Sequence, residues 1–265
     1  MKRILIFGLG YTASRIADAL RSQGWRVDAT GRAGNLDFED EAQVWKVLEE
    51  ASHILSSVPP ERESGDDPVL ARYGNTVEGK WIAYLSSTGV YGDTKGAWVD
   101  ETAPVGGGRR IARAECDLRW LDLGARVFRL PGIYGPGRSA IERVKSGKAR
   151  RIDLPGQVFS RVHVDDIVSG ALAAIERDAP AGAYNLADDL PASQNAVVEE
   201  ACRLLGVQPP PLQSLDDADL SPMARAFYSE NRRVSNGKAK RVLGWAPQYP
   251  TYRDGLLDCL NRHHA

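Results

Sequence analysis

The segment Gly8-Leu9-Gly10-Tyr11-Thr12-Ala13 constrains the fold more than any other stretch of the chain, because of what flanks it. It follows the apolar run Ile4-Leu5-Ile6-Phe7. After it, Ala13, Ile16, Ala17 and Leu20 recur at helical spacing while Arg15, Asp18 and Arg21 take the other face. A strand, a glycine turn and an amphipathic helix are thereby predicted in succession. G-x-G-x-x-A in that setting has a mechanical reading: Gly8 permits the tight turn, Gly10 lets backbone N–H groups approach a pyrophosphate, and Ala13 allows close helix packing. Tyr11 and Thr12 open the helix, whose N-terminus favours negative charge. A dinucleotide site formed by Gly8, Gly10, Tyr11, Thr12 and Ala13 is the expectation.

Short runs rich in Val, Ile and Leu alternate with amphipathic stretches along the chain. Strands are expected at Arg3–Phe7, Trp25–Thr30, near Leu36, and at His53–Val58, Trp81–Ser86, Ala125–Leu130 and Ala183–Leu186. This is the α/β pattern of parallel strands joined by crossover helices. After Tyr134, Gly, Pro and basic residues dominate to Pro155; a strand or loop follows at Val158–Val164, then a helix at Asp165–Glu176. The division expected is an NADP-binding core, 1–133 and 158–189, with a smaller discontinuous C-terminal substrate lobe, 134–157 and 190–265.

Charge and cysteine usage exclude other classes. With 34 basic against 35 acidic side chains among 265 residues, no global field draws the protein to nucleic acid or anionic lipid. Cys116, Cys202 and Cys259 are odd in number and lack metal-ligand spacing, so neither a disulfide framework nor a zinc site is predicted. Met1-Lys2-Arg3 and the apolar run after it imitate a secretory leader, but Gly8, Gly10, Arg15 and Asp18 interrupt the pattern. No apolar stretch approaches the roughly 20 residues that span a bilayer. A cytoplasmic protein with no nucleic-acid, membrane or metal partner is expected.

Cofactor choice turns on the end of the second strand, where an acidic side chain accepts from a ribose 2′-hydroxyl and an arginine pairs a 2′-phosphate. The sequence there is Val27-Asp28-Ala29-Thr30-Gly31-Arg32. Asp28 lies at the nominal distance but mid-strand, so Arg32 is the ribose-facing candidate and NADP is favoured, with NAD possible. Asp37 and Phe38 are candidates to hold the adenine, or to cap the helix that follows.

Six segments together resemble the extended short-chain dehydrogenase/reductase superfamily, the group of NAD-dependent epimerases and dehydratases. They are the glycine loop, Leu85-Ser86-Ser87-Thr88-Gly89-Val90-Tyr91-Gly92, Phe128-Arg129-Leu130-Pro131-Gly132-Ile133-Tyr134-Gly135-Pro136-Gly137, Arg161-Val162-His163-Val164-Asp165-Asp166-Ile167, Tyr184-Asn185-Leu186 and Leu243-Gly244-Trp245. The resemblance implies a Rossmann-type doubly wound parallel sheet of about seven strands, a lobe closing over a substrate such as a sugar nucleotide, and a homodimer of the kind many relatives form. It also implies that Ser87, with Thr88 as the adjacent candidate, hydrogen-bonds the reacting hydroxyl or carbonyl.

The chain departs from the family in one respect. The family's base is the tyrosine of Tyr-x-x-x-Lys, whose lysine lowers the phenol pKa, but no tyrosine occurs between Tyr91 and Tyr134. The corresponding positions are Arg109 and Arg113, or Gly107 and Ile111, and an arginine cannot take the proton. The chain is therefore an atypical member. Tyr91 or Tyr134, each after a strand ending at the cleft, is the candidate replacement. Arg109 and Arg113 are candidates to pair a substrate anion, as are Arg138 and Arg161 from the basic run that includes Arg143, Lys145, Lys148, Arg150 and Arg151. His163 is read as a structural hydrogen-bonder. Two functions follow: an NADP(H)-binding epimerase, dehydratase or reductase acting on a small polar carbonyl or hydroxyl compound, or a non-catalytic NADP(H)-binding redox sensor.

Overall fold

The computed structural model describes residues 2–77, 79–108 and 111–263. Its central sheet has six strands: β1 (Arg3–Phe7), β2 (Arg26–Ala29), β3 (His53–Ser56), β4 (Trp81–Ser87), β5 (Arg126–Leu130) and β6 (Gly182–Asn185). All pair in parallel, in the order β6-β5-β4-β3-β1-β2. The piece near Leu36, expected as a further strand, supplies a single bridge to Thr30. The reason is local: Gly31 and Gly34 fold the chain so tightly that a Cβ on Gly34 would lie 2.1 Å from the Ala29 carbonyl oxygen. Asp40 then caps the next helix, leaving too few residues for a ladder.

Ten helices are described: α1 (Tyr11–Ser22), α2 (Glu41–Glu50), α3 (Pro68–Tyr73), α4 (Ile111–Asp122), α5 (Ala140–Lys145), α6 (Val164–Glu176), α7 (Gln194–Leu205), α8 (Pro222–Phe227), α9 (Gly237–Leu243) and α10 (Tyr252–His263). Alternation along β1 sorts them into layers. Ile4 and Ile6 face a core with Ile16 and Leu20 of α1, Ile167 and Ala171 of α6, and Leu243 of α9. Leu5 and Phe7 face the opposite core, with Val44 of α2, Leu70 of α3 and Trp120 of α4. None of the described helices is long and apolar enough to cross a membrane.

The chain runs outward from β1 to β2 through α1 and returns across β1 to β3 through α2. This reversal opens a crevice at the carboxyl ends of β1 and β3, the usual ligand position in such sheets. A short parallel pair, Gly132–Tyr134 with Arg161–His163, continues beyond the sheet. Past it, Ile141 of α5, Val197 and Ala201 of α7, and Tyr252 and Leu256 of α10 form a separate apolar cluster with Tyr134.

Candidate functional site

The glycine turn is tied to its neighbours by backbone groups. Gly8 adopts φ +84°, and a Cβ there would lie 2.9 Å from Ser57 Oγ. The Ser57 hydroxyl donates to the Gly8 carbonyl, Leu9 N donates to Thr30 O at 2.9 Å, and Gly8 N donates to Thr30 Oγ1 at 3.2 Å. Gly10 is the N-cap of α1 and offers no side-chain acceptor. A Cβ on Gly10 would meet nothing within 4 Å. The first helical turn is thus left without a side-chain cap for its orphan N–H groups, and Gly10, Tyr11 and Thr12 line a cavity, a setting that suits a pyrophosphate. Ala13, 1% exposed, seats the helix on the sheet.

Beyond β2 the two ribose candidates separate. Asp28 accepts from Arg3 Nε at 2.8 Å and Asn35 Nδ2 at 2.9 Å. Burial opposes its charge, but these donors hold its pKa below the ordinary carboxylate value. Arg32 is exposed and makes no hydrogen bond or ion pair with the described residues. Asp37 accepts from Glu39 N at 3.0 Å, while Asp40 caps α2 by accepting from Gln43 N at 3.1 Å. Phe38 packs edge-on against Phe7 and Tyr73, with centroids 6.2 and 5.5 Å away.

A cavity of about 1050 Å³ runs from the N-terminus of α1 past the end of β4 to α7 and α8. Ser87 and Thr88 line it, and Ser87 Oγ accepts from Gly89 N at 3.1 Å, which orients the hydroxyl. Tyr91 is buried and does not line the cavity; its hydroxyl donates to Asn185 Oδ1 at 2.8 Å and accepts from Arg129 Nη1 at 3.0 Å. Tyr134 lines the cavity, but its hydroxyl is buried without a hydrogen-bond partner among the described residues. A Cβ on Gly255 of α10 would lie 2.1 Å from that oxygen. Burial pushes the pKa of both phenols up.

The walls are cationic. Arg113, Arg138, Arg143, Lys148, Arg150, Arg161 and Arg232 line the cavity, and Glu230 is the one carboxylate among the described lining residues. Arg232 pairs with it at 2.9 Å. Arg113 donates to Tyr84 Oη at 2.6 Å; Arg109 lies outside the described residues. Arg138 sits at the glycine-loop end, its guanidinium 5.6 Å from the Tyr11 ring, which Arg15 covers at 4.0 Å. Arg161 is at the far end, 7% exposed, donating to Phe159 O and Ala192 O at 2.9 Å and to Gln194 Oε1 at 3.1 Å. Burial pushes its pKa down to about 10. Arg151 turns elsewhere and pairs with Glu199 at 2.7 Å.

Other site residues were not singled out from sequence. Phe159, Phe227 and Tyr228 line the far end, drawn from segments distant in the chain. A buried ion pair beside Ser86 joins Asp117 of α4 to Arg129 of β5 at 2.7 Å, and Ser86 donates to Asp117 Oδ2 at 2.6 Å. The signal was present, since a charge inside the apolar run of β5 demands a buried partner. His163 caps α6 by accepting from Asp165 N at 3.3 Å. The cluster it forms with Asp165 and Asp258 is crossed by Arg262, which pairs with the two carboxylates at 2.7 and 3.1 Å.

No family model matches the chain. Protein YeeZ of Escherichia coli K12 is 26% identical, over 94% of this chain and 97% of its own length. A 3-diazoavenalumate denitrifying reductase of a Streptomyces species is 34% identical, over 58% of this chain; the match spans about half of that protein, 54%. Among solved structures, a conserved protein of unknown function from Silicibacter pomeroyi DSS superimposes with a TM-score of 0.87 at 40% identity, covering 99% of both chains. The dTDP-glucose 4,6-dehydratase of Bacillus anthracis, in complex with NAD, has a TM-score of 0.75 at 17% identity, covering 100% and 97%. The human epimerase family protein SDR39U1 with NADPH has a TM-score of 0.73 at 13% identity, covering 98% and 99%. The chain thus belongs to one family with the Silicibacter protein, and its fold is shared with the NAD-dependent epimerase and dehydratase structures.

Proposed function

We propose that the protein is an NADP(H)-dependent enzyme that reduces or isomerises a small anionic carbonyl or hydroxyl compound. The observation that carries this reading is one continuous cavity, open at Gly10, passing Ser87 and ending on a cationic wall. A sensor that only bound dinucleotide would need no such extension. Gly8, Gly10 and the first turn of α1 would hold the pyrophosphate, with Arg138 over Tyr11 as its counter-charge. Arg32, exposed and unpaired beyond β2, would take a 2′-phosphate, which is the argument for NADP over NAD.

A bound nicotinamide supplies or accepts a hydride. The chain's own part is to place the substrate oxygen on Ser87 and Thr88, to neutralise its negative charge with arginines, and to exclude water. Reduction needs a proton for the product oxygen in place of a base, and with Tyr91 locked to Asn185 and Arg129 the hydroxyl of Ser87 or Thr88 would deliver it and recover it from solvent at the cavity mouth. A sugar nucleotide is one substrate the wall would accept. Three free cysteines, all buried, fit a reducing cytoplasm.

Melting with NADP, NADPH, NAD and NADH tests the cofactor reading, and nicotinamide absorbance with a panel of sugar nucleotides and aldehydes tests turnover. The expected outcome is a larger rise in melting temperature for the NADP pair, with turnover lost in Ser87→Ala. No rise with any dinucleotide would sink the reading.

A further inference from the structure

Arg161 is a buried cation that lines the cavity; no carboxylate among the described residues lies within ion-pair distance, and the acid that acts on it from farther off, Asp188, is itself disfavoured as an anion by burial. A guanidinium desolvated in this way gains most from an anion that reaches it, because its donors are fixed in a planar fork. Three of its hydrogen bonds go to neutral oxygens, of Phe159, Ala192 and Gln194, which orient the fork and cancel none of its charge.

The surroundings of Arg161 are aromatic. Its guanidinium lies 5.8 Å from the Phe159 ring. Phe227 stacks on Phe159 at 5.0 Å, and Tyr228 meets Phe159 edge-on at 5.6 Å and 82°. Phe227 is 44% exposed, so one of its faces is left for a guest ring, with Tyr228 forming the side of the corner. A planar ring entering there gains stacking beyond its buried area.

We propose that this end of the cavity is a subsite for an aromatic carboxylate, its ring against Phe227 and Tyr228 and its carboxylate on Arg161. Ring site and charge site line the same end of the cavity and both meet Phe159, which suits a molecule that carries an aromatic ring and a carboxylate. The proposal builds on the dinucleotide reading only in assigning the opposite end of the same cavity to the cofactor.

Calorimetric titration of the full chain, with and without NADP, tests it with 4-hydroxybenzoate, phenol, cyclohexanecarboxylate, UDP and inorganic phosphate. Binding of 4-hydroxybenzoate is expected, with phenol and cyclohexanecarboxylate at least about tenfold weaker, since each lacks one half of the recognition. Arg161→Lys keeps the charge but loses the fork, and about a tenfold loss is expected. Phe227→Ala, at an exposed position that leaves folding intact, should cost about as much. No binding of 4-hydroxybenzoate, unchanged binding in both variants, or tighter binding of UDP or phosphate would overturn the subsite. The melting shift with dinucleotide is read separately, so failure of the cofactor reading stays distinguishable from failure of this one.

Discussion

Asp117 and Arg129, 0% and 2% exposed, make the most consequential side-chain pairing in the molecule, because each is a charge the interior tolerates only in the presence of the other. Asp117→Ala leaves a guanidinium buried beside Ser86. A loss of about 3–5 kcal/mol is expected in urea unfolding; a loss below about 1 kcal/mol would mean that Tyr91 alone satisfies Arg129. Asp188 gives a second prediction at this scale. It is 2% exposed, neither carboxyl oxygen meets a well-formed hydrogen bond, and burial pushes its pKa up to about 8. The folded state therefore keeps a proton that the unfolded chain releases near its ordinary value of 3.8. Stability associated with this group is fully present below that value and is lost as pH rises through about 8. Asp188→Asn should flatten the fall in melting temperature between roughly pH 5 and pH 8. Parallel curves for the two proteins would count against it. Neither residue's setting is written locally: Asp188 is one of two successive aspartates, and only the fold buries it.

At the scale of elements, two glycines of the same region separate binding from folding. Gly10 has φ −92°, and a Cβ there meets nothing within 4 Å. Gly10→Val should fold with a melting temperature close to that of the parent and lose its rise with NADP; an unchanged rise would place the pyrophosphate elsewhere. Gly31 has φ +104°, and its Cβ would lie 3.0 Å from Leu9 N. Gly31→Ala should destabilise by about 1 kcal/mol or more even without ligand, read from the urea midpoint. The capping box of α5, in which Ser139 Oγ accepts from Ile141 N at 3.0 Å, predicts a loss of about 0.5–2 kcal/mol in Ser139→Ala. These elements were legible beforehand, because strand alternation, helical spacing and glycine turns are local. The strand expected near Leu36 was misjudged for the converse reason: its apolar residue matched, but a ladder needs length, and the Gly34 turn and Asp40 cap leave none.

For the whole molecule, the sheet clamped between two cores and the cluster beyond Tyr134 meet around one cavity, with a hydrogen bond from Tyr11 Oη to Pro136 O at 3.1 Å tying the glycine loop to the distal segments. On the proposed reading, a dinucleotide bound there would stabilise the folded chain by RT ln(1 + [L]/Kd), about 2.7 kcal/mol at a hundredfold excess over Kd. Differential scanning with a concentration series should follow that logarithm without a plateau, and a melting temperature that does not change with ligand concentration would overturn the reading.

The sequence by itself determined the doubly wound fold, the glycine turn between β1 and α1 and the lack of any tyrosine between Tyr91 and Tyr134, since each depends on spacing within a few residues or on the absence of a residue type from a whole segment. The tertiary structure decided which charges act together. Arg151 and Arg161 are close in a basic run, yet one pairs with Glu199 at 2.7 Å and the other is buried in the cavity wall with no carboxylate among the described residues within ion-pair distance. Tyr91 and Tyr134 both follow strands, yet one hydroxyl is locked in a polar network and the other is pressed against Gly255. Such outcomes depend on partners drawn from distant segments, and pairing at that range is set by packing, which local periodicity does not encode.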